Sequence, residues 1–381
     1  MADLSKYKDI APVHNMAALD QYDLFGNSNS LLLKAFLISS EEIILTVGDD
    51  VKISPGELEL FEWDYTNFDL SSQEYALTNK KAPEFLQQGN KITIVLESRN
   101  VEANYVLKYC DEWISVFLDP SVGGIIDKEF NAYAEESFGV SIVSQGAFFK
   151  VWSPPASKIE VLLFDENQHP VFTKSPLWMK KSANGIFSLT VTSEMTSNIS
   201  SFNGLYYQYR VYAYGKATLV LDPYAFSMAS FSPDGIDKIG KGAIVSMSDK
   251  LSLPKGFSKK YSNAKFMANE TDLIAYEIHI RDFTAQPGVV KPELAGTFIG
   301  AISKIDYLKQ LGITHVQLLP VANFYTVDET DRSFSASDAT ISNYNWGYDP
   351  HSYFSLEGWF STDAANPYVR IREYRELIQS L

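Results

Sequence analysis

The chain has 381 residues, 45% hydrophobic and 21% charged, with a net charge of −15. That bulk supports two or three domains with sizeable cores. The acidity, with no run of Lys or Arg, excludes a nucleic-acid footprint and attraction to an anionic membrane surface.

Residues 1–26 read as a polar leader. Its start, "MADLSKYKDIAPVHNM", lacks the apolar segment of a secretory signal, and no run in the chain approaches the ~20 apolar residues that cross a bilayer. The expectation is a cytoplasmic protein. Residues 27–137 carry strand-like runs, and these predict a small all-β domain. "SLLLKAFLI" and "EEIILTVG" are split by a turn at Ser39-Ser40, and "KITIVLES", "NYVLKYC" and "WISVFLD" follow. The one cysteine, Cys110, excludes an internal disulfide. Its apolar surroundings predict a buried thiol acting as a small hydrophobe. Gly123-Gly124 fits a turn, and "DKEFNAYAEESFG" reads as a short helix or a linker.

Residues 138–226 show clearer alternation. In "GAFFKVWSP", Phe148, Lys150 and Trp152 point one way and Phe149 and Val151 the other. "KIEVLLF", "GIFSLTVT" and "GLYYQYRVYAYG" follow at a spacing that predicts a β-sandwich. The last strand ends in the aromatic turn Asp222-Pro223-Tyr224-Ala225. Residues 227–271 read as a connecting segment packed on its neighbours, because Phe226, Phe231 and Phe257 require burial.

At 272 the period changes. "LIAYEIHIRDF" predicts a strand with Ile274, Tyr276, Ile278 and Ile280 on one face and Glu277, His279 and Arg281 on the other. "GTFIGAISKIDYLKQLG" predicts a helix with the stripe Ile302, Ile305, Leu308, Leu311 and a cap at Gly312. "ITHVQLLPV" is the next strand, so the unit is βαβ with parallel strands. A long loop runs from about 322 to 365. A helix then starts with Asn366 as N-cap and Pro367 as its first residue, its stripe being Ile371, Tyr374, Leu377, Ile378 and Leu381.

The long loop contains "YNWGYDP", residues 344–350, whose Gly and Pro suit neither a helix nor a central strand. A loop of that length in a compact domain is usually functional, and its aromatic rings suit flat ligand faces such as sugars.

"YEIHIRDF", "GTFIGAISKIDYLKQLGITHVQLLPV" and "YNWGYDPHSYFSLEGWFS" resemble the opening of the catalytic barrel of type I pullulanases, debranching enzymes of the alpha-amylase family (glycoside hydrolase family 13). "FGVSIVSQGAFFKVWSPPASKIEVLLFD" with "GLYYQYRVYAYGKATLVLDPYA" resembles the family 48 carbohydrate-binding module that precedes such barrels. Residues 27–137 are similar, more loosely, to the β-domain ahead of that module. The resemblance implies a multidomain fold: an all-β domain, an immunoglobulin-like β-sandwich, then the first part of a (β/α)8 barrel over 272–381, incomplete at Leu381. It implies an N-terminal part of an enzyme that hydrolyses α-1,6 links in branched α-glucans such as pullulan, glycogen or amylopectin. "YNWGYDP" favours this over a glycogen debranching or branching enzyme. The alternative is a stand-alone α-glucan-binding protein with a vestigial barrel segment. The oligomeric state is not legible.

Retaining glycosidases need two carboxylates about 5–5.5 Å apart. In the family these come from later strands, so the resemblance assigns no catalytic residue here and implies a chain inactive alone. Asp282, Asp349 and Glu357 are the local carboxylates, and the expected role of Asp349 is to orient the loop or bind sugar hydroxyls. By resemblance Tyr348 stacks on a sugar ring, Asn345 and Asp349 bind hydroxyls or brace the loop, and Trp346 is either core or contact. By resemblance Trp152 lies in the core of the sandwich, and Trp178, in "SPLWMKK", is a candidate for surface stacking on glucan. His351, Tyr353 and Trp359 are expected to pack, and His279 to be a satisfied interior histidine. No cofactor is implied. The five His are scattered without paired ligand spacing, so no metal is indicated; calcium on carboxylates from distant loops stays open.

Overall fold

The computed structural model of the chain describes residues 30–65, 76–97, 103–131, 137–182, 184–197, 199–257, 269–332 and 343–381. The leader and residues 132–136 of the predicted short helix or linker lie outside them.

Strands β1 (Leu32–Ser39) and β2 (Glu42–Val47) form the expected antiparallel hairpin. With β3 (Leu58–Asp64), β4 (Ala76–Lys81), β5 (Phe85–Gln88), β6 (Lys91–Val95), β7 (Tyr105–Tyr109) and β8 (Glu112–Leu118) they make an eight-stranded sheet in the order β4-β3-β7-β8-β1-β2-β6-β5. Alternate residues face inward, as Ile43, Leu45 and Val47 do on β2. Both halves of the sheet, joined by Ile125 of helix α1 (Ile125–Glu129), contribute to one core, so the sheet curls around it. Strands β3, β4 and β5 were not anticipated. On β3 only Leu58 and Leu60 face the core and the rest is half-buried, so the alternation is weak. Cys110 corrects an expectation. It sits exposed in the turn between β7 and β8, at φ 52°, because a two-residue hairpin connection needs the left-handed region and turns the thiol outward.

The next two sheets close on a common core. One joins β9 (Gly139–Val143), β10 (Gly146–Trp152), β13 (Lys180–Lys181) and β14 (Ile186–Thr192). The other joins β11 (Lys158–Phe164), β12 (Leu177–Trp178), β15 (Tyr206–Ala213), β16 (Lys216–Val220) and β17 (Gly242–Ala243). Ala147, Phe149 and Val151 of β10 meet Val161, Leu163 and Tyr209 of the opposite sheet, as the alternation requires. Trp152 is half-buried and packs on the eight-stranded sheet's core instead, its Nε1 donating to the carbonyls of Phe130 at 3.0 Å and Asn184 at 3.2 Å. Buried Asp222 accepts from the Tyr207 hydroxyl at 2.7 Å, the Tyr209 hydroxyl at 3.1 Å and the Tyr224 amide at 2.9 Å. Burial pushes its carboxyl up to about 6 despite those donors.

Asn104 ties the curled sheet to these two sheets. Its Oδ1 accepts from the Tyr65 hydroxyl, the Ser157 hydroxyl and the Tyr214 amide, and its Nδ2 donates to the Pro155 carbonyl. Gly215 lies against the Trp63 ring, where a Cβ would come within 2.7 Å, and its φ of +72° suits only glycine.

In the connecting segment Phe231 is buried, as expected, but Phe226 is 38% exposed. Helix α5 (Pro367–Ser380) packs on this segment and on the two-sheet unit: Tyr368 and Ile371 join Phe164, Tyr206 and Val245. The Tyr206 hydroxyl donates to the Ala365 carbonyl at 2.8 Å and the Ser227 hydroxyl to the Pro367 carbonyl at 2.7 Å. Asn366 caps the helix, its Oδ1 accepting from the Tyr368 amide at 3.0 Å.

The predicted strand at 273–283 is shorter than expected. Strand β18 (Ala275–Ile278) pairs in parallel with β19 (His315–Leu318), and α2 (Ile280–Ala285) begins at once. Ile280 and Thr284 are buried at helical spacing, so the apolar pattern changes period inside the run. The single predicted helix is two, α3 (Phe298–Ile302) and α4 (Ile305–Gln310). Between them the Ser303 amide bonds to the carbonyls of both Ile299 and Gly300, a tightened last turn. Gly312 takes φ +76° beyond α4, as its place at the cap predicts. The predicted long loop contains a hairpin, β20 (Ala322–Phe324) with β21 (Pro350–Leu356), whose register shifts hide its alternation. Ile305, Leu308, Ile371 and Leu377 are buried, while Leu273, Ile274, Leu311, Ile378 and Leu381 are exposed.

Candidate functional site

A cleft of about 820 Å³ opens where β18 and β19 end, lined by Glu277, Ile278, His279, Asp282, Lys304, Tyr307, Leu319, Tyr344, Trp346 and Tyr348 among others. The carboxyl ends of parallel strands are where open α/β sheets bind ligands. The larger volume and the chemistry of its walls separate this cleft from a narrow, 10 Å³ crevice between the curled sheet and the Pro154-Pro155 turn.

The loop from Tyr344 to Asp349 forms one wall. Tyr348 is 68% exposed and Trp346 63% exposed, both over the cleft. Of the two alternatives for Trp346, core is ruled out by this exposure. Asn345 braces the loop: its Oδ1 accepts from the Gly347 amide at 2.6 Å and its Nδ2 donates to the Thr326 hydroxyl. Gly347 has φ +93° and sits where a Cβ would meet the Pro320 carbonyl at 2.6 Å, so only glycine lets the loop lie this close to the strand end. Asp349 is exposed.

Behind the loop stands an aromatic wall. Trp359 and Phe360 are fully buried, and the Trp359 indole donates to the Asp331 carbonyl at 2.9 Å. His279 is buried, as expected of an interior histidine. Its Nδ1 accepts the Asp282 amide and so starts α2, while Nε2 lies 3.0 Å from the Asn345 carbonyl. The Tyr344 hydroxyl donates to Asp282 Oδ2 at 2.7 Å. Burial pushes the Asp282 carboxyl up, but the neighbouring His279 ring and the Tyr344 hydroxyl outweigh it and leave it below the usual range. Burial and the bond to Asp282 push the Tyr344 hydroxyl up, so it stays a donor.

Glu357 does not reach the cleft. It is fully buried, accepting from the amides of Phe324 at 3.1 Å and Trp359 at 2.9 Å and from Asn323 Nδ2 at 3.1 Å. Beside it Glu329 receives both Nη atoms of Arg370, at 3.0 and 2.9 Å, and the amides of Phe231 and Gly358. Burial, then repulsion from Glu329, pushes the Glu357 carboxyl well up. This cluster is structural. His351 is half-buried between Phe231 and Tyr325, its Nε2 2.8 Å from the Ile239 carbonyl, which fits the expected packing role. Tyr353 departs from that expectation: it is 77% exposed, because β21 turns that residue away from the core.

Trp178 lies on the two-sheet unit, away from the cleft. It is 41% exposed, with Lys158 Nζ 4.9 Å from its ring and Tyr212 edge-on at 5.5 Å. Sequence reasoning missed Tyr307 and Lys304 as cleft residues. Tyr307 lies off the apolar stripe of α4 and is 46% exposed, and that position was the available signal. Among the described residues no group of three or more His, Cys, Asp or Glu is arranged to hold a metal ion.

Residues 137–225 match the carbohydrate-binding module 48 family (isoamylase N-terminal domain). Pullulanase A of Streptococcus pneumoniae serotype 2 is 40% identical over 238 residues, 61% of this chain and 19% of that protein. The chloroplastic pullulanase 1 of Arabidopsis thaliana is 27% identical over 294 residues, 68% of this chain and 28% of that protein. Among solved structures, the group B Streptococcus pullulanase SAP in complex with maltotetraose superposes with a TM-score of 0.69 at 26% identity, covering 92% of this chain and 43% of that one. The chain is homologous to an N-terminal portion of type I pullulanases and spans about a fifth to two fifths of the length of these relatives.

Proposed function

We propose that this chain is the glucan-holding part of a debranching glycoside hydrolase that cleaves α-1,6 links in branched α-glucans. The reading rests on one observation above the rest: Tyr348 and Trp346 stand exposed over a cleft at the ends of two parallel strands. A planar ring against a pyranose face excludes water and fixes orientation. Asn345 holds the loop in shape, and exposed Asp349 offers acceptors to sugar hydroxyls. Trp178 serves as a separate stacking site on the carbohydrate-binding module. The solved relative that carries maltotetraose supports an α-glucan as the ligand class.

In the same reading residues 27–137 form an N-terminal β-domain, 138–226 an immunoglobulin-like sandwich, 227–271 a connector, and 272–381 the opening of a (β/α)8 barrel. The parallel pairing of β18 with β19 across α2, α3 and α4 supports the last assignment. Of the three carboxylates weighed, Glu357 is enclosed and Asp282 is engaged by Tyr344, which leaves Asp349 without the second carboxylate that hydrolysis needs, so in this reading the polypeptide binds glucan without hydrolysing it. Titrating the chain with maltotriose by calorimetry should give saturable binding that Tyr348→Ala weakens roughly tenfold. Pullulan should release no reducing ends above a buffer control. A flat titration at millimolar maltotriose, or hydrolysis of pullulan, would overturn this reading.

A further inference from the structure

We propose that the turn between β18 and α2 is the positioning element of the aromatic loop, with His279 and Asp282 as its positioning residues. The inference rests on the α-glucan reading of the cleft for its ligand, but not for its geometry. Residues 344–349 have no ladder of backbone bonds, so side chains must fix them. Two such bonds arise within one turn of α2. Asp282 Oδ2 takes the Tyr344 hydroxyl at 2.7 Å, and the His279 ring reaches the Asn345 carbonyl at 3.0 Å. The His279 tautomer follows from its two contacts. Nδ1 accepts the Asp282 amide at 3.3 Å, so Nε2 carries the proton and donates to the loop. One histidine thus starts the helix and holds the loop. The amide it caps belongs to the residue whose carboxylate anchors Tyr344.

The rings add stiffness. Tyr344 packs 5.3 Å from His279 and edge-on at 6.4 Å from Trp359. With Tyr344 and Asn345 fixed and Gly347 pressed on Pro320, Trp346 and Tyr348 are left projecting over the cleft. The rings are therefore presented before a ligand arrives, which reduces the ordering cost of binding.

The test reads the loop and the ligand separately. Amide hydrogen exchange over 343–349 is measured on the chain without glucan, for wild type, Tyr344→Phe, Asp282→Ala and Asp282→Asn. Maltotriose affinity is then measured for the same set. Tyr344→Phe and Asp282→Ala are expected to raise exchange in this loop, leave residues 137–225 unchanged, and weaken maltotriose roughly tenfold. Asp282→Asn keeps an acceptor for the tyrosine hydroxyl and should restore most of the protection and affinity. Unchanged loop exchange in Tyr344→Phe and Asp282→Ala overturns the proposal, as does exchange that rises throughout the chain. If wild type does not bind maltotriose, the α-glucan reading falls while loop exchange still decides the positioning role.

Discussion

The two-sheet unit of residues 137–225 and the region from 270 to 381 are held by different chemistry. In the first, β10 pairs with β14, and β11 with β15, over seven residue pairs each, and the sheets close on a shared apolar core. In the second, β18 and β19 pair over four residues, α2, α3 and α4 have six, five and six residues, and buried polar groups join the pieces. Helices this short are marginal by themselves. The loop that carries Trp346 and Tyr348 belongs to the second region. A regular ladder would occupy the backbone that the loop uses to present Tyr348. The loop is precise because side chains pin it, and vulnerable for the same reason.

The strongest way to break the contrast is at Arg370. Its guanidinium is fully buried, paired through both Nη atoms with Glu329, and also donates to the carbonyls of Leu356 and Ala364. Arg370→Ala leaves Glu329 and Glu357 together without their cation. A buried charge left without its partner costs roughly 3–5 kcal/mol. Urea unfolding followed by proteolysis should show the loss confined to residues 270–381, with 137–225 surviving as a resistant fragment. Uniform destabilisation would mean that the two regions unfold as one.

A buried carboxylate in the two-sheet unit sharpens the comparison through pH. Asp222 has its carboxyl raised to about 6 by burial, above its ordinary 3.8. Its contribution to stability is therefore fully present below about pH 4 and is lost as pH rises through about 6. Asp222→Asn removes that dependence. The stability of wild type relative to Asp222→Asn should fall between pH 4 and 7, by an amount on the order of 1–3 kcal/mol, and stay flat above. A constant difference across that window would show that the donors around Asp222, the Tyr207 and Tyr209 hydroxyls among them, stabilise the carboxylate at least as much as burial penalises it.

Legibility in the sequence follows the same division. The alternation of Ala147, Phe149 and Val151 reads directly because one face is core and the other is not. The parallel pairing, the Gly312 cap and the Asn366 cap read from short-range chemistry. What failed to read were changes of period inside a run and partners distant in sequence. Ile280 continues the strand alternation of Ile278 but begins a helix, because His279 caps it. Tyr344 looked like one more aromatic of the loop, and its partner Asp282 is 62 residues away. Cys110 looked buried by its neighbours, yet a turn faces outward whatever flanks it.

The smallest expected effect tests whether caps matter as much in the second region as the contrast implies. Thr297 is fully buried, accepts the Gly300 amide at 3.0 Å and donates to the Leu294 carbonyl at 2.8 Å. Asn366 accepts the Tyr368 amide at the start of α5. Replacing such a cap by alanine costs about 1 kcal/mol, so Asn366→Ala should lower the urea midpoint slightly. Thr297→Ala should lower it more, because the Gly300 amide is left buried without an acceptor. Helix α3 packs against α5 and against α2, whose first turn holds the aromatic loop, so a frayed α3 should also raise amide exchange over 343–349. If Thr297→Ala shifts the midpoint but leaves that exchange untouched, the loop is held by His279 and Asp282 alone, and the helices behind it supply stability without shaping the site.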